Sequence, residues 1–152
     1  MPLIKLKTLI LADIETCFNL SRDLDLHQLS TAQTNEKAIG GKTTGLIGLH
    51  EEVEWRAKHF GIYMKLRTRI TAFDFPNTFT DEMVKGPLRK MKHRHIFVQK
   101  QDTTQVTDLF YFESPFGIAG RLVNYFFLRA YMEKLLITRN NFIKQQAEKQ
   151  QC

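Results

Sequence analysis

From about Ile118 to Lys149 the chain carries no proline and a single glycine, Gly120, and this unbroken segment follows a stretch, residues 52–113, whose apolar positions repeat every second residue. The two periods, near 3.6 and 2, belong to a helix and to strands exposed on one side, and they confine the chain to a mixed architecture. In the long segment Leu122, Tyr125, Phe126, Met132, Leu136 and Ile143 fall near one face, at spacings of three, four and seven, whereas Lys134, Arg139 and Lys144 are expected to reach water. The Gln-rich end, Gln145 to Cys152, loses the apolar face and is expected to fray.

The strand signal is strongest in Glu52 to His59, where Val53, Trp55, Ala57 and His59 alternate with Glu52, Glu54, Arg56 and Lys58. That alternation is a sheet with one wet side. Phe60-Gly61 reads as a tight turn into Ile62–Phe73, whose Met64, Leu66, Thr68 and Ile70 oppose Lys65, Arg67 and Arg69. Pro76-Asn77, Gly86-Pro87 and Gln101-Asp-Thr103 then separate strands at Thr78–Val84, Leu88–Gln99 and Gln105–Glu113. At the start, Leu3 to Ile10 is a half-buried strand, Asp13 caps a short helix with Ile14, Cys17 and Phe18 on its apolar stripe, and Leu24 to Leu29 forms a second helical turn. Gly40-Gly-Lys-Thr-Thr-Gly45 is a loop or hairpin. It lacks the spacing of a phosphate loop, since Glu36 stands where the first glycine is required.

The order strand, two short helices, a run of antiparallel strands, six to seven in all, and one long C-terminal helix leaves few architectures and predicts an α+β fold of one domain over residues 1–152. At 152 residues, with 43% apolar and 25% charged, one core suffices and a disordered chain is excluded. Cys17 and Cys152 form no metal-knuckle or redox spacing and suit a reducing, cytoplasmic setting; Cys17 reads as buried packing. The basic and apolar opening is cut by Asp13 and Glu15 and does not read as a secretory signal; no apolar run is long enough for a membrane span, although transient membrane contact stays open. The net charge of +6 is dispersed, and its densest run, Arg89 to His95, is interrupted by Met91, so a solvated strand face is expected and nucleic acid is not.

Several of these stretches resemble the START-like, or SRPBCC, superfamily with its helix-grip fold. They are the opening strand leading into Asp13-Ile-Glu-Thr-Cys-Phe-Asn-Leu-Ser-Arg-Asp23, Gly45 to Gly61, Phe79 to Pro87, His93-Arg-His-Ile-Phe97, Thr107 to Gly117 and the long helix. Among its members the chain is most similar to small bacterial proteins described as cyclase-like, dehydrase-like or cell-division-inhibitor-like. The resemblance implies a curved sheet around the long helix with a cavity between them and specifies no reaction. One departure is Leu11-Ala12-Asp13, where the family usually places a proline before the helix.

His93 and His95 stand two apart on one strand, so both imidazoles face the same side and are the candidate acid or base pair. As metal ligands they lack a third partner beyond His59, and neither metal nor cofactor is expected. Asp81, Glu82, Asp108 and Glu113 are carboxylates whose facing alternation leaves open; on the last strand Thr107, Leu109 and Tyr111 are favoured inward, against Phe110 and Phe112. The predicted cavity lining is Trp55, His59, Met64, Leu66, Thr68, His93, His95, Phe97, Leu109, Tyr111, Leu122 and Phe126. Such a lining suits a small hydrophobic ligand, lipid, isoprenoid or polyketide-like, held by apolar burial and oriented by a few polar groups. The competing expectation is a cyclase, aromatase or dehydratase in which His93 or His95 moves a proton. The oligomeric state is left open.

Overall fold

The computed structural model describes residues 3–115 and 118–150, with only the backbone of 118–124. Seven strands form one antiparallel sheet: β1 (Leu3–Ile10), β2 (Lys37–Gly41), β3 (Glu52–His59), β4 (Ile62–Asp74), β5 (Thr78–Lys85), β6 (Lys90–Lys100) and β7 (Thr103–Glu113). Their order across the sheet is β1-β7-β6-β5-β4-β3-β2. Two short helices, α1 (Ile14–Ser21) and α2 (Leu24–Ser30), and a turn at Ala32–Thr34 carry the chain from one edge strand to the other. The long helix α3 (Ile118–Gln150) packs across the sheet.

Local chemistry accounts for these boundaries. Asp13 caps α1 through its Oδ1, which accepts from the Thr16 amide at 2.8 Å, and Asp23 caps α2 by accepting from the amides of Asp25 and Leu26. The β3–β4 hairpin turns on Phe60 and Gly61, both with positive φ, as the tightest hairpin turn requires. Gly40-Gly41 ends β2 instead of making a phosphate loop; at Gly41, φ is +65° and a Cβ would lie 2.4 Å from the Glu52 carbonyl oxygen, so only glycine fits. Register shifts between Ala38 and Gly40 and at two points between β4 and β5 bend the sheet.

Two apolar clusters hold the layers together. In one, Phe18 of α1 meets Phe73, Phe75 and Phe79 edge-on, with ring centroids at 5.3, 5.1 and 5.2 Å, and Phe97 at 5.1 Å. In the other, Ile4, Met91, Phe110 and Phe112 pack with Leu136 of α3. Between the clusters the sheet is polar.

The structure corrects three expectations. On β7 it is Val106, Asp108, Phe110 and Phe112 that share a face with Ile4, Leu6 and Thr8 of β1; Leu109 and Tyr111 lie on the other face. Both alternations carry aromatic side chains, so period alone does not choose, and the inward hydrogen bonds of Asp108 described below do. The Gln-rich end of α3 stays helical through Gln150, because Ala147 is fully buried and Glu148 accepts from the Leu11 amide at 3.0 Å. Arg139, expected in water, is only 7% exposed: it falls three residues after Leu136 and four before Ile143, on the helix's apolar stripe.

Candidate functional site

Between sheet and α3 lies a cavity of about 400 Å³, within the range of small-molecule sites. Its wall is mostly apolar: Val53, Ala57, Leu66, Ile70 and Phe79 from the strands, with Leu128, Met132 and Leu136 from the helix. Seven of the predicted lining residues are there, namely Trp55, His59, Met64, Leu66, Thr68, His93 and His95. Four are not. Phe97 faces inward but is taken up by the Phe18 cluster, Leu109 and Tyr111 lie on the far face of β7, and Phe126 is 67% exposed. The side chain of the last, Leu122, lies outside the described residues.

One wall carries a buried polar network whose side chains come from three strands, β5, β6 and β7, and from α3. In cross-strand register, Phe79 of β5, His95 of β6, Asp108 of β7 and Leu6 of β1 form one row, and Asp81, His93, Phe110 and Ile4 form the next. Each histidine therefore has a carboxylate diagonal to it. His93 donates from Nε2 to Asp108 Oδ1 at 2.8 Å, and His95 donates from Nε2 to Asp81 Oδ2 at 2.9 Å. The remaining Asp108 oxygen, Oδ2, accepts from Asn140 Nδ2 at 2.7 Å; Asn140 Oδ1 in turn accepts from Arg139, which also donates to the Ser21 carbonyl at 2.9 Å. The ring of His95 is sandwiched between Phe79 and His93, with centroids at 4.2 and 3.8 Å.

These surroundings set the protonation states. Burial disfavours charge on His95, but the Asp108 carboxylate 3.2 Å from its ring and the hydrogen bond and charge of Asp81 outweigh it and raise its pKa. For His93, burial and the neighbouring charge of His95 win over the Asp108 hydrogen bond and lower the pKa. Burial pushes both carboxylates up, yet the histidines hold Asp81 below the usual carboxylate range and Asp108 well below it. The network thus favours the imidazolium form at His95, between two carboxylates, and the neutral ring at His93. Because ionised Asp108 can only accept, the His93 proton sits on Nε2, and its Nδ1 lone pair makes no hydrogen bond among the described residues. His95 Nδ1 lies 3.2 Å from Asp108 Oδ1 at an angle too poor for a hydrogen bond.

Ligand atoms of Asp81, His93 and His95 lie within 4.8 Å of one another, close enough for a metal ion. Asp81, not His59, is therefore the third partner that spacing lacked. An ion there must displace the His95 proton and break its hydrogen bond to Asp81, so the donor set as built favours a proton over a cation. His59 sits toward the β3–β4 hairpin, its Nδ1 2.7 Å from the Tyr131 hydroxyl, and burial lowers its pKa. Asp81 and Asp108 are two of the four carboxylates whose facing alternation leaves open. Arg139 and Asn140 were legible only through their place on the stripe of α3.

No protein-family model matches the sequence, and no curated protein does. Solved structures do match over nearly the whole chain. The Zhui aromatase/cyclase of Streptomyces sp. R1128 is 13% identical, with a TM-score of 0.74 over 99% of this chain and 96% of that one. This is the helix-grip fold. The Thermus thermophilus protein TTHA0849 matches at 16% identity and a TM-score of 0.73, over 93% of this chain and 97% of its own. Major latex-like protein 151 of Panax ginseng matches at 15% and 0.66, over 96% and 97%. At these identities the helix-grip likeness concerns the fold alone.

Proposed function

We propose that this protein binds and carries a small hydrophobic molecule that bears a polar group, carbonyl or hydroxyl, at one end. The observation that carries the reading is the cavity itself: a mostly apolar space of about 400 Å³ with the buried network of Asp81, His93, His95 and Arg139 along one wall. Apolar burial at about 25 cal/mol per Å² supplies affinity, and the polar wall sets orientation. Arg139 has no carboxylate partner among the described residues and lines the cavity, so a ligand oxygen can accept from its guanidinium while His93 Nδ1 accepts a ligand hydroxyl. Native mass spectrometry of the purified protein, followed by organic extraction, tests this. A bound small molecule is expected in the wild type and lost in Ala57→Trp, which fills the cavity; equal ligand content in both sinks the reading.

A second reading, a cyclase-, aromatase- or dehydratase-like enzyme, is favoured by the neutral His93 held in one tautomer by Asp108. In it His93 Nδ1 takes a proton from a carbon beside a ligand carbonyl, Asp108 stabilises the resulting imidazolium, and Arg139 holds the enolate oxygen. That one structural neighbour is an aromatase/cyclase agrees with this chemistry. Deuterium incorporation into the extracted molecule in heavy water, abolished by His93→Gln with binding retained, supports the enzyme. No incorporation leaves the carrier alone.

A further inference from the structure

We propose that the mouth of the cavity is a docking surface for anionic lipid bilayers. Four large apolar side chains, Phe60, Ile62, Phe126 and Phe127, are each more than half exposed, and they come from two places that the fold brings together, the β3–β4 hairpin tip and the first half of α3; Tyr63, also more than half exposed, flanks them on the other face of the hairpin. The Phe60 ring lies 5.3 Å from that of Phe127 and 4.6 Å from that of Tyr131. Phe60 and Tyr131 also line the cavity, so the patch continues into its wall. Apolar surface of this kind on a monomer marks an interaction site.

The charges around it select the partner. Arg56 and Lys58 stand over the Tyr63 ring, at 5.3 and 5.8 Å from its centroid, and Lys65 faces Arg56 across the hairpin. Arg129 on α3 donates to the Tyr125 hydroxyl beside Phe126. The nearest acids along the same elements, Glu54 and Glu133, leave this collar net positive. A second copy of the chain docked through the same patch would set one cationic collar against another. An anionic bilayer matches both parts: aromatic rings at headgroup depth and cations against lipid phosphates. That ligand passes between bilayer and cavity here rests on the carrier reading; the docking itself does not.

The test is flotation of the full chain with vesicles of phosphatidylcholine, with and without one quarter phosphatidylglycerol, at low and high salt. Binding to the anionic vesicles that weakens with salt is expected. Arg56→Glu with Lys58→Glu should lower it at least tenfold, since each cation near an anionic surface contributes about fivefold. Ile62→Ser with Phe126→Ser, neither of which lines the cavity, should weaken it similarly while the melting temperature and ligand content stay unchanged. Equal flotation on neutral vesicles, or variants that bind as the wild type does, overturns the proposal; so does a dimer in sedimentation that Ile62→Ser dissociates. Anionic flotation by a protein that holds no ligand sinks the carrier reading and leaves the docking standing.

Discussion

Asp108→Asn preserves the shape of the side chain at the centre of the buried network and removes its charge. Asp108 is 1% exposed and accepts from His93 at 2.8 Å and from Asn140 at 2.7 Å, while His95 Nδ1 lies 3.2 Å away. The substituted amide offers one acceptor oxygen, so its NH₂ must face either the Asn140 NH₂, donor against donor, or His93, whose ring must then shift its proton to Nδ1. His95, itself buried and with its charged form favoured by both carboxylates, keeps only Asp81. Removing one partner of a buried pair costs about 3–5 kcal/mol, a figure that includes the orphaned donor. For a chain of this length that lowers Tm by about 6–20 °C at about 2–4 °C per kcal/mol. Asp81→Asn is the internal comparison: its side chain is 19% exposed, accepts only from His95, and should cost less than half as much. Urea and thermal unfolding followed by circular dichroism read both variants. If Asp108→Asn melts within about 2 °C of the wild type, or Asp81→Asn costs as much, the network does not hold the sheet to α3 and the reasoning fails.

The same network predicts a stability maximum near the ordinary histidine pKa. His95 is raised in the folded state, so its contribution is complete below about pH 6.5 and is lost as pH climbs through its folded value. His93 is lowered, so stability is also lost as pH falls from about 6.5, because the unfolded chain takes up that proton first. Asp108, held well below 3.8, adds a further loss at more acid pH, and His95→Gln should flatten the alkaline limb of urea midpoints measured against pH and also soften the acid limb, since the charge that helps lower His93 is gone. Phe18→Ala removes a fully buried ring from contact with four other aromatics and should cost about 3–5 kcal/mol in urea unfolding. Asp13→Ala removes the α1 cap and should cost about 1 kcal/mol, with Asp13→Ser restoring most of it. Burial pushes the Cys17 thiol up to about 11, so alkylation of Cys17 at pH 7.5 should proceed only through unfolding and accelerate with urea.

The element order, the strand alternation of β3, β4 and β6, and the cap at Asp13 are legible in the chain alone, because each depends on neighbours within one turn of helix or one pleat of strand. The same holds for the shared inward face of His93 and His95, since a strand's period of two leaves no choice once Met91 and Phe97 point inward. The facing of β7 is settled only by assembly, where Leu109 and Tyr111 compete with Phe110 and Phe112 at equal hydrophobicity. The choice fell to Asp108, whose acceptors are satisfied only on the side where His93 and Asn140 wait. Likewise Arg139 reads as a water-facing cation until the Ser21 carbonyl and the Asn140 side chain give its guanidinium partners inside. Local sequence encodes the period along each element. Burial of a charge depends on which groups, distant in the chain, arrive to share it.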